Sequence, residues 1–169
     1  MGQRLTADLL AEEIDLRAKG IVPGPIVMVP VLTGAILFVA DLVRAMPVTM
    51  SIRPVTVSSY PGAAVSSQGA SIQHGIPTDL AGKRIILVDD ILDSGQTLGL
   101  LRRMLSAQRL QSIRIVVLLT KRDVQRIEEV PVEYSCFDIG NEFVIGYGLD
   151  HDGNYRNVPD IAVLRPGAD

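Results

Sequence analysis

Residues 85–97 read Ile85-Ile86-Leu87-Val88-Asp89-Asp90-Ile91-Leu92-Asp93-Ser94-Gly95-Gln96-Thr97, and this run decides the fold. Its aliphatic start suits a strand buried on both faces, as in a parallel sheet covered by helices. Two adjacent carboxylates end that strand and a third opens a turn. Ser94, Gly95, Gln96 and Thr97 then stand where helical spacing begins. A helix starting there aims free backbone N–H groups and its positive dipole end at the turn, which makes an anion site. The missing side chain of Gly95 allows close approach. Acids beside an anion cradle must serve something else: sugar hydroxyls, a metal ion or a proton. A ribose phosphate meets that description. Helix capping would explain Ser94. It would not explain the acidic pair.

The flanks repeat the alternation of strand and helix. Residues 25–32 are almost wholly apolar and predict a second buried strand. Thr33-Gly34 breaks it, and residues 35–46 follow with helical spacing closed by Pro47. Upstream, residues 6–19 place Leu9, Leu10, Ile14 and Ala18 on one helical face, ended by Gly20. Val48, Met50 and Ile52 alternate with polar residues, and Val55 and Val57 resume the pattern past Pro54. That reads as a half-solvated strand, bulged or at an edge. Residues 58–71 are rich in Ser, Gly and Ala without apolar period, and so long a loop is usually functional or mobile.

Downstream, residues 95–107 predict a helix with Leu98, Leu101, Met104 and Leu105 on its apolar face. A third buried strand is expected at 113–119 and shorter ones at 132–137, 143–147 and 161–164. The fold class is α/β: a mostly parallel twisted sheet flanked by helices, with a small hood. Ligands in such sheets bind at the carboxyl ends of the strands, here the loops after Val31, Val88 and Leu119.

The chain has 169 residues, enough for one domain with a substantial core. Apolar residues make up 47% and charged residues 21%, as in a globular protein. A formal charge of −3 argues against nucleic acid as a partner. Cys136 is the single cysteine, which suits a reducing cytoplasm and excludes a disulfide framework within the chain. The charged start lacks a leader's apolar stretch, and no apolar run is long enough to span a bilayer. A receiver domain also carries paired acids after Ile-Leu-Val, but near its first strand and without Asp-Ser-Gly-x-Thr after them. Here the pair lies mid-chain.

Residues 85–97 resemble the phosphoribosyl-pyrophosphate (PRPP) motif of type I phosphoribosyltransferases. Three further stretches narrow the likeness to the hypoxanthine-guanine family. Val31-Leu32-Thr33-Gly34-Ala35, with residues 38–42, resembles the pyrophosphate loop and its helix. Ser58-Ser59-Tyr60 resembles the start of the mobile catalytic loop. Residues 142–150, with Tyr155-Arg156-Asn157, resemble the purine-binding hood. The likeness runs from about Val29 to Leu164. It implies one domain over 1–169, with a hood formed by the N-terminal segment and about 138–169.

The resemblance also implies roles. Asp89 and Asp90 would hold the ribose hydroxyls, directly or through Mg²⁺, and Asp150 would be a further metal ligand. Asp93 would take the purine N7 proton. Ser94, Gly95, Gln96 and Thr97 would hold the 5′-phosphate, while Thr33, Gly34 and Arg156 would meet pyrophosphate. Ile91 and Phe143 would sandwich the base, Lys121 would donate to O6, and the backbone of Val144 and Asp150 would read N1–H and the 2-amino group. Ser59 and Tyr60 would close over the site. The family usually carries Lys or Arg where this chain has Thr33, which leaves backbone N–H groups to meet pyrophosphate, and its matching Leu32–Thr33 bond can be cis. Expected partners are small-molecule substrates and further copies of the chain, as homodimer or homotetramer, with neither nucleic acid nor membrane. His74 and His151 are expected to be structural. The alternatives are a same-fold enzyme for xanthine or a pyrimidine, or a PRPP-sensing regulator with a basic face.

Overall fold

The computed structural model describes residues 1–58 and 71–165, with no side chains described for 58 and 71–74. The described elements are α1 (Gly2–Ala18), β1 (Ile26–Leu32), α2 (Ile36–Arg44), β2 (Met50–Ile52), β3 (Val55–Ser58), β4 (Ser71–His74), β5 (Arg84–Leu92), α3 (Gln96–Ser106), β6 (Ser112–Lys121), β7 (Tyr134–Ile139), β8 (Val144–Ile145) and β9 (Ala162–Val163). Seven strands form one sheet in the order β4-β3-β1-β5-β6-β7, with β2 also on β1. Every pairing in it is parallel except β3 with β4. β8 and β9 make a separate antiparallel hairpin.

Both faces of the central strands are apolar because helices cover both. Alternate residues divide between two cores. Ile26, Met28, Ile86, Val88, Val116 and Leu118 face α1, α2 and the hairpin, joining Leu5, Leu9, Phe38, Val39, Leu42 and Val144. Val27, Val29, Ile85, Leu87, Ile115 and Val117 face α3 through Leu98, Leu101 and Leu105. The expected strand beyond Val48 is split: β2 and β3 pair with successive parts of β1, and Arg53-Pro54 lies between them. Proline has no N–H to give to a ladder, which fits the break.

Two helical faces differ from expectation. In α1 only Leu9 of the predicted stripe is buried; Leu10 and Ile14 are 48% and 70% exposed, and Gly2, Leu5 and Thr6 take the inward face. Its second half is tethered by polar contacts instead. Buried Arg84, the first residue of β5, donates to the carbonyls of Gly24 and Leu9 and pairs with Glu13 at 3.3 Å, and Arg114 pairs with Glu12 at 2.7 Å. Tyr134, which opens β7, donates its hydroxyl to Asp8. These partners start strands, so α1 spans the sheet end away from the acidic pair. In α3, Met104 is exposed while Leu98, Leu101 and Leu105 are buried. Among the described residues, no helix is long and apolar enough to cross a membrane.

Candidate active site

β5 does not stop at the acidic pair. It runs on to Leu92, and Asp89, Ile91 and Leu92 continue the register with Val117, Leu119 and Thr120 of β6. The pair therefore lies inside a sheet rather than at an exposed strand end. Asp89 is 6% exposed. The two acids have few outside partners: the Asp90 N–H donates to Asp89 Oδ1 at 3.0 Å, and the Ile91 N–H donates to Asp90 Oδ1 at 2.8 Å. Burial raises the Asp89 carboxyl well above the usual range, and the neighbouring Asp90 charge adds to that. Burial also raises Asp90, and the Arg156 charge works against the rise.

Gly34 gives Asp90 its room. A Cβ on Gly34 would overlap the Asp90 carboxylate. The preceding Leu32–Thr33 peptide is cis. Gly148, at φ +101°, lies against the Gly34 carbonyl, so the hairpin turn packs onto this loop with no side chain between them. Tyr147, beside it, donates its hydroxyl to Asp41 of α2.

Ser94 and Gly95 turn the chain into α3. The residue before α3 is Gly95 at φ +81°, and no side chain caps the helix. Ser94 Oγ makes only a long 3.5 Å contact with the Gln96 N–H. The first-turn N–H groups are thus left for a ligand. A Cβ on Gly95 would strike the Glu128 carbonyl, and the N–H groups of Ile127 and Glu128 both donate to the Ser94 carbonyl, at 2.9 and 3.1 Å.

These groups share a cavity of about 850 Å³. It brings together Thr33, Gly34, Asp89, Asp90, Ile91, Asp93, Ser94, Gly95, Thr97, Phe143, Asp150 and Arg156, drawn from three separate sequence stretches. Gln96, Lys121 and Val144 do not line it. Lys121 is buried behind Asp93, with Nζ 3.0 Å from Oδ2. Val144 is buried in the hairpin opposite Val163. Asp150 accepts from the Gly153 N–H at 2.8 Å and pairs with Arg156 at 2.8 Å, while Arg156 also donates to the Gly148 carbonyl. Ser59 and Tyr60 lie outside the described residues.

Sequence reasoning missed Thr56, Val57, His151 and Asp152 on the cavity wall. Thr56 and Val57 arrive because β3 pairs with the end of β1, and no local pattern announces that pairing. His151 packs against Phe143, ring centroids 5.3 Å apart at 80°. Its position next to Asp150 was the only available signal.

Adjacent acids within the sheet, a glycine turn opening α3 and the Thr33-Gly34 loop against Asp90 share one cavity, an arrangement that suits sugar-phosphate transfer. Residues 5–152 match the family described as "Phosphoribosyl transferase domain", and the chain belongs to that family. Its relatives narrow the branch. A hypoxanthine-guanine phosphoribosyltransferase of Streptococcus pneumoniae is 41% identical over 139 residues, covering 82% of this chain and 77% of the relative. One from Mycobacterium tuberculosis is 41% identical over 141 residues, covering 83% and 69%. Among solved structures, the hypoxanthine phosphoribosyltransferase of Trypanosoma cruzi in complex with the product IMP is similar at a TM-score of 0.80 and 35% identity, over 99% of this chain and 91% of that one.

Proposed function

We infer that this chain is a hypoxanthine-guanine phosphoribosyltransferase of purine salvage. It transfers the 5-phosphoribosyl group of PRPP to a 6-oxopurine, giving IMP or GMP and pyrophosphate. The observation that carries this reading is the one cavity that joins Asp89, Asp90, Asp93, Ser94, Gly95 and Thr97 to Phe143 and Asp150.

The residues divide the work by chemistry. The first-turn N–H groups of α3, with the hydroxyls of Ser94 and Thr97, hold the 5′-phosphate. Asp89 and Asp90 sit where the ribose hydroxyls would lie. As the bond from C1 to pyrophosphate loosens, the sugar gains oxocarbenium character, and the acids' negative charge favours it. Asp93 accepts the N7 proton as N9 attacks. Phe143 offers a half-exposed ring for stacking, and Ile91 also lines the cavity. Lys121, paired with Asp93 behind the cavity wall, is the donor for O6, and the backbone of Val144 and Asp150 reads the N1 edge. Thr33, Gly34 and Arg156 meet pyrophosphate.

Magnesium fits this donor set. Among the described residues no group of three metal-ligating side chains exists, and Mg²⁺ takes one or two carboxylates with water and substrate phosphates for the rest. One or two of Asp89, Asp90 and Asp150 would hold it, and the ion would neutralise charge on the leaving pyrophosphate.

We read residues 1–169 as one domain, with a hood formed by the N-terminal segment and about 138–169; Leu5 and Leu9 of α1 share a core with Val144 and Leu149, which supports this. Exposed Leu10, Ile14, Ile36 and Phe137 support assembly as a homodimer or homotetramer. The substrates and the lone half-buried Cys136 suit the cytoplasm. The test is PRPP- and Mg²⁺-dependent pyrophosphate release with hypoxanthine, guanine, xanthine, adenine and a pyrimidine. Turnover restricted to 6-oxopurines supports the reading. Turnover of the pyrimidine alone, or of none, overturns it.

A further inference from the structure

We propose that His151 is a positioning residue for base selection: its ring fixes the orientation of Phe143 against which the purine stacks. The inference rests on the reading of Phe143 as the stacking face.

The backbone of Phe143 is well anchored. Its carbonyl accepts from the Leu164 N–H at 2.9 Å, and the next residue, Val144, is buried in the β8–β9 pairing. Its ring is not anchored in the same way. Half of it is exposed, and it belongs to neither apolar core. A ring so placed turns about its side-chain bonds unless a neighbour stops it. Among the described residues one ring meets it, the imidazole of His151, at 5.3 Å and 80°.

That geometry suits the task. An edge-to-face pair is attractive because the positive edge of one ring meets the negative face of the other. Being near-perpendicular, it fixes the plane of Phe143 without a parallel ring competing for the place of the base. His151 is itself rigidly seated. Its N–H donates to the Asn154 carbonyl at 3.2 Å, and the Asn154 N–H returns the bond at 2.9 Å. Asp150, just before it, is tied to Gly153 and Arg156. Asp152 stands 3.7 Å from the imidazole. The brace therefore grows from the same turn that carries Asp150, and both rings line the cavity.

The experiment compares KM for hypoxanthine and for PRPP in wild type, His151→Ala and His151→Phe, with melting temperatures beside them. His151 is half exposed on a turn, so the alanine variant should fold. The KM for hypoxanthine should rise about three- to tenfold in the alanine variant, the size of one aromatic pair. KM for PRPP, and kcat at saturating base, should stay within about twofold. His151→Phe should restore the KM for hypoxanthine, since it keeps a ring edge and loses the nitrogens. An unchanged KM for hypoxanthine in the alanine variant, an equal rise in both KM values, or no rescue by phenylalanine would overturn the inference. A wild type inactive on every purine would instead overturn the functional reading beneath it.

Discussion

Lys121 and Asp93 form an ion pair across adjacent strands, with Nζ 3.0 Å from Oδ2. The sheet register creates it. Leu92 of β5 lies opposite Thr120 of β6, so the next residue of each strand comes level with the other. The cation is buried and the acid half exposed. A donor and an acceptor are thereby fixed side by side, the buried cation behind the acid that lines the cavity.

Lys121 should set the discrimination against adenine. An ammonium only donates, and adenine presents an amino donor where 6-oxopurines present an acceptor. Adenine also leaves the carbonyl assigned to N1–H without a partner. Two unmet groups at roughly 1–3 kcal/mol each predict a preference on the order of a thousandfold in kcat/KM. Lys121→Gln can present either donor or acceptor. It should lower the hypoxanthine rate and narrow the gap, measured as the ratio of kcat/KM for the two bases. An unchanged ratio would show that Lys121 does not read the base.

Asp93→Asn should bind PRPP nearly normally and lose about 10²–10⁴ in kcat, the range for a positioned acid–base group. The amide oxygen can still accept from Lys121, so the local arrangement should survive. Binding by calorimetry beside steady-state rates separates the two effects. A rate within threefold of wild type would remove Asp93 as the base.

The acidic pair should weaken the fold at neutral pH. Burial raises both carboxyls above the ordinary aspartate value of 3.8. Between that value and the raised one, the folded state holds protons that the unfolded state has released, so stability falls as pH rises. Asp89→Asn removes this cost. In Mg²⁺-free buffer its melting temperature should exceed wild type at pH 7–8, with the advantage shrinking as pH falls towards 4, while catalysis collapses. A variant less stable than wild type at pH 8 would mark the pair as structural.

Gly34 and Gly148 should respond differently to alanine. In Gly34→Ala the new Cβ meets the Asp90 side chain, which can rotate away. The fold should persist and activity should fall at least tenfold, with Asp90 displaced. In Gly148→Ala the Cβ meets the Gly34 backbone at φ +101°. That should destabilise the protein by about 1–3 kcal/mol, read as a lower denaturation midpoint. Equal stability of the two variants would contradict the close packing of the hairpin turn on the loop.

The α/β class and most of the site were legible in the chain because their causes are local. Buried strands must be apolar at every position, and an anion cradle needs a glycine turn before a helix. Hence Asp89, Asp90, Asp93 and the Ser94–Thr97 turn could be picked out by type and order alone. The inward face of α1 could not. Leu10 and Ile14 keep helical period with Leu9 but are exposed, and that half of the helix is held to the sheet through Glu13 with Arg84 and Glu12 with Arg114.

The sequence by itself determined the strand–turn–helix order and picked out the acids and the glycine turn that line the cavity. Tertiary structure alone decided three things. It carried β5 through the acidic pair and so buried it, because β6 supplies backbone partners as far as Leu92. It brought Thr56 and Val57 to the cavity, because β3 pairs with the end of β1. It also joined Lys121 to Asp93 and His151 to Phe143. Register and ring packing depend on how distant segments fill shared space, and neither leaves a periodic trace along the chain.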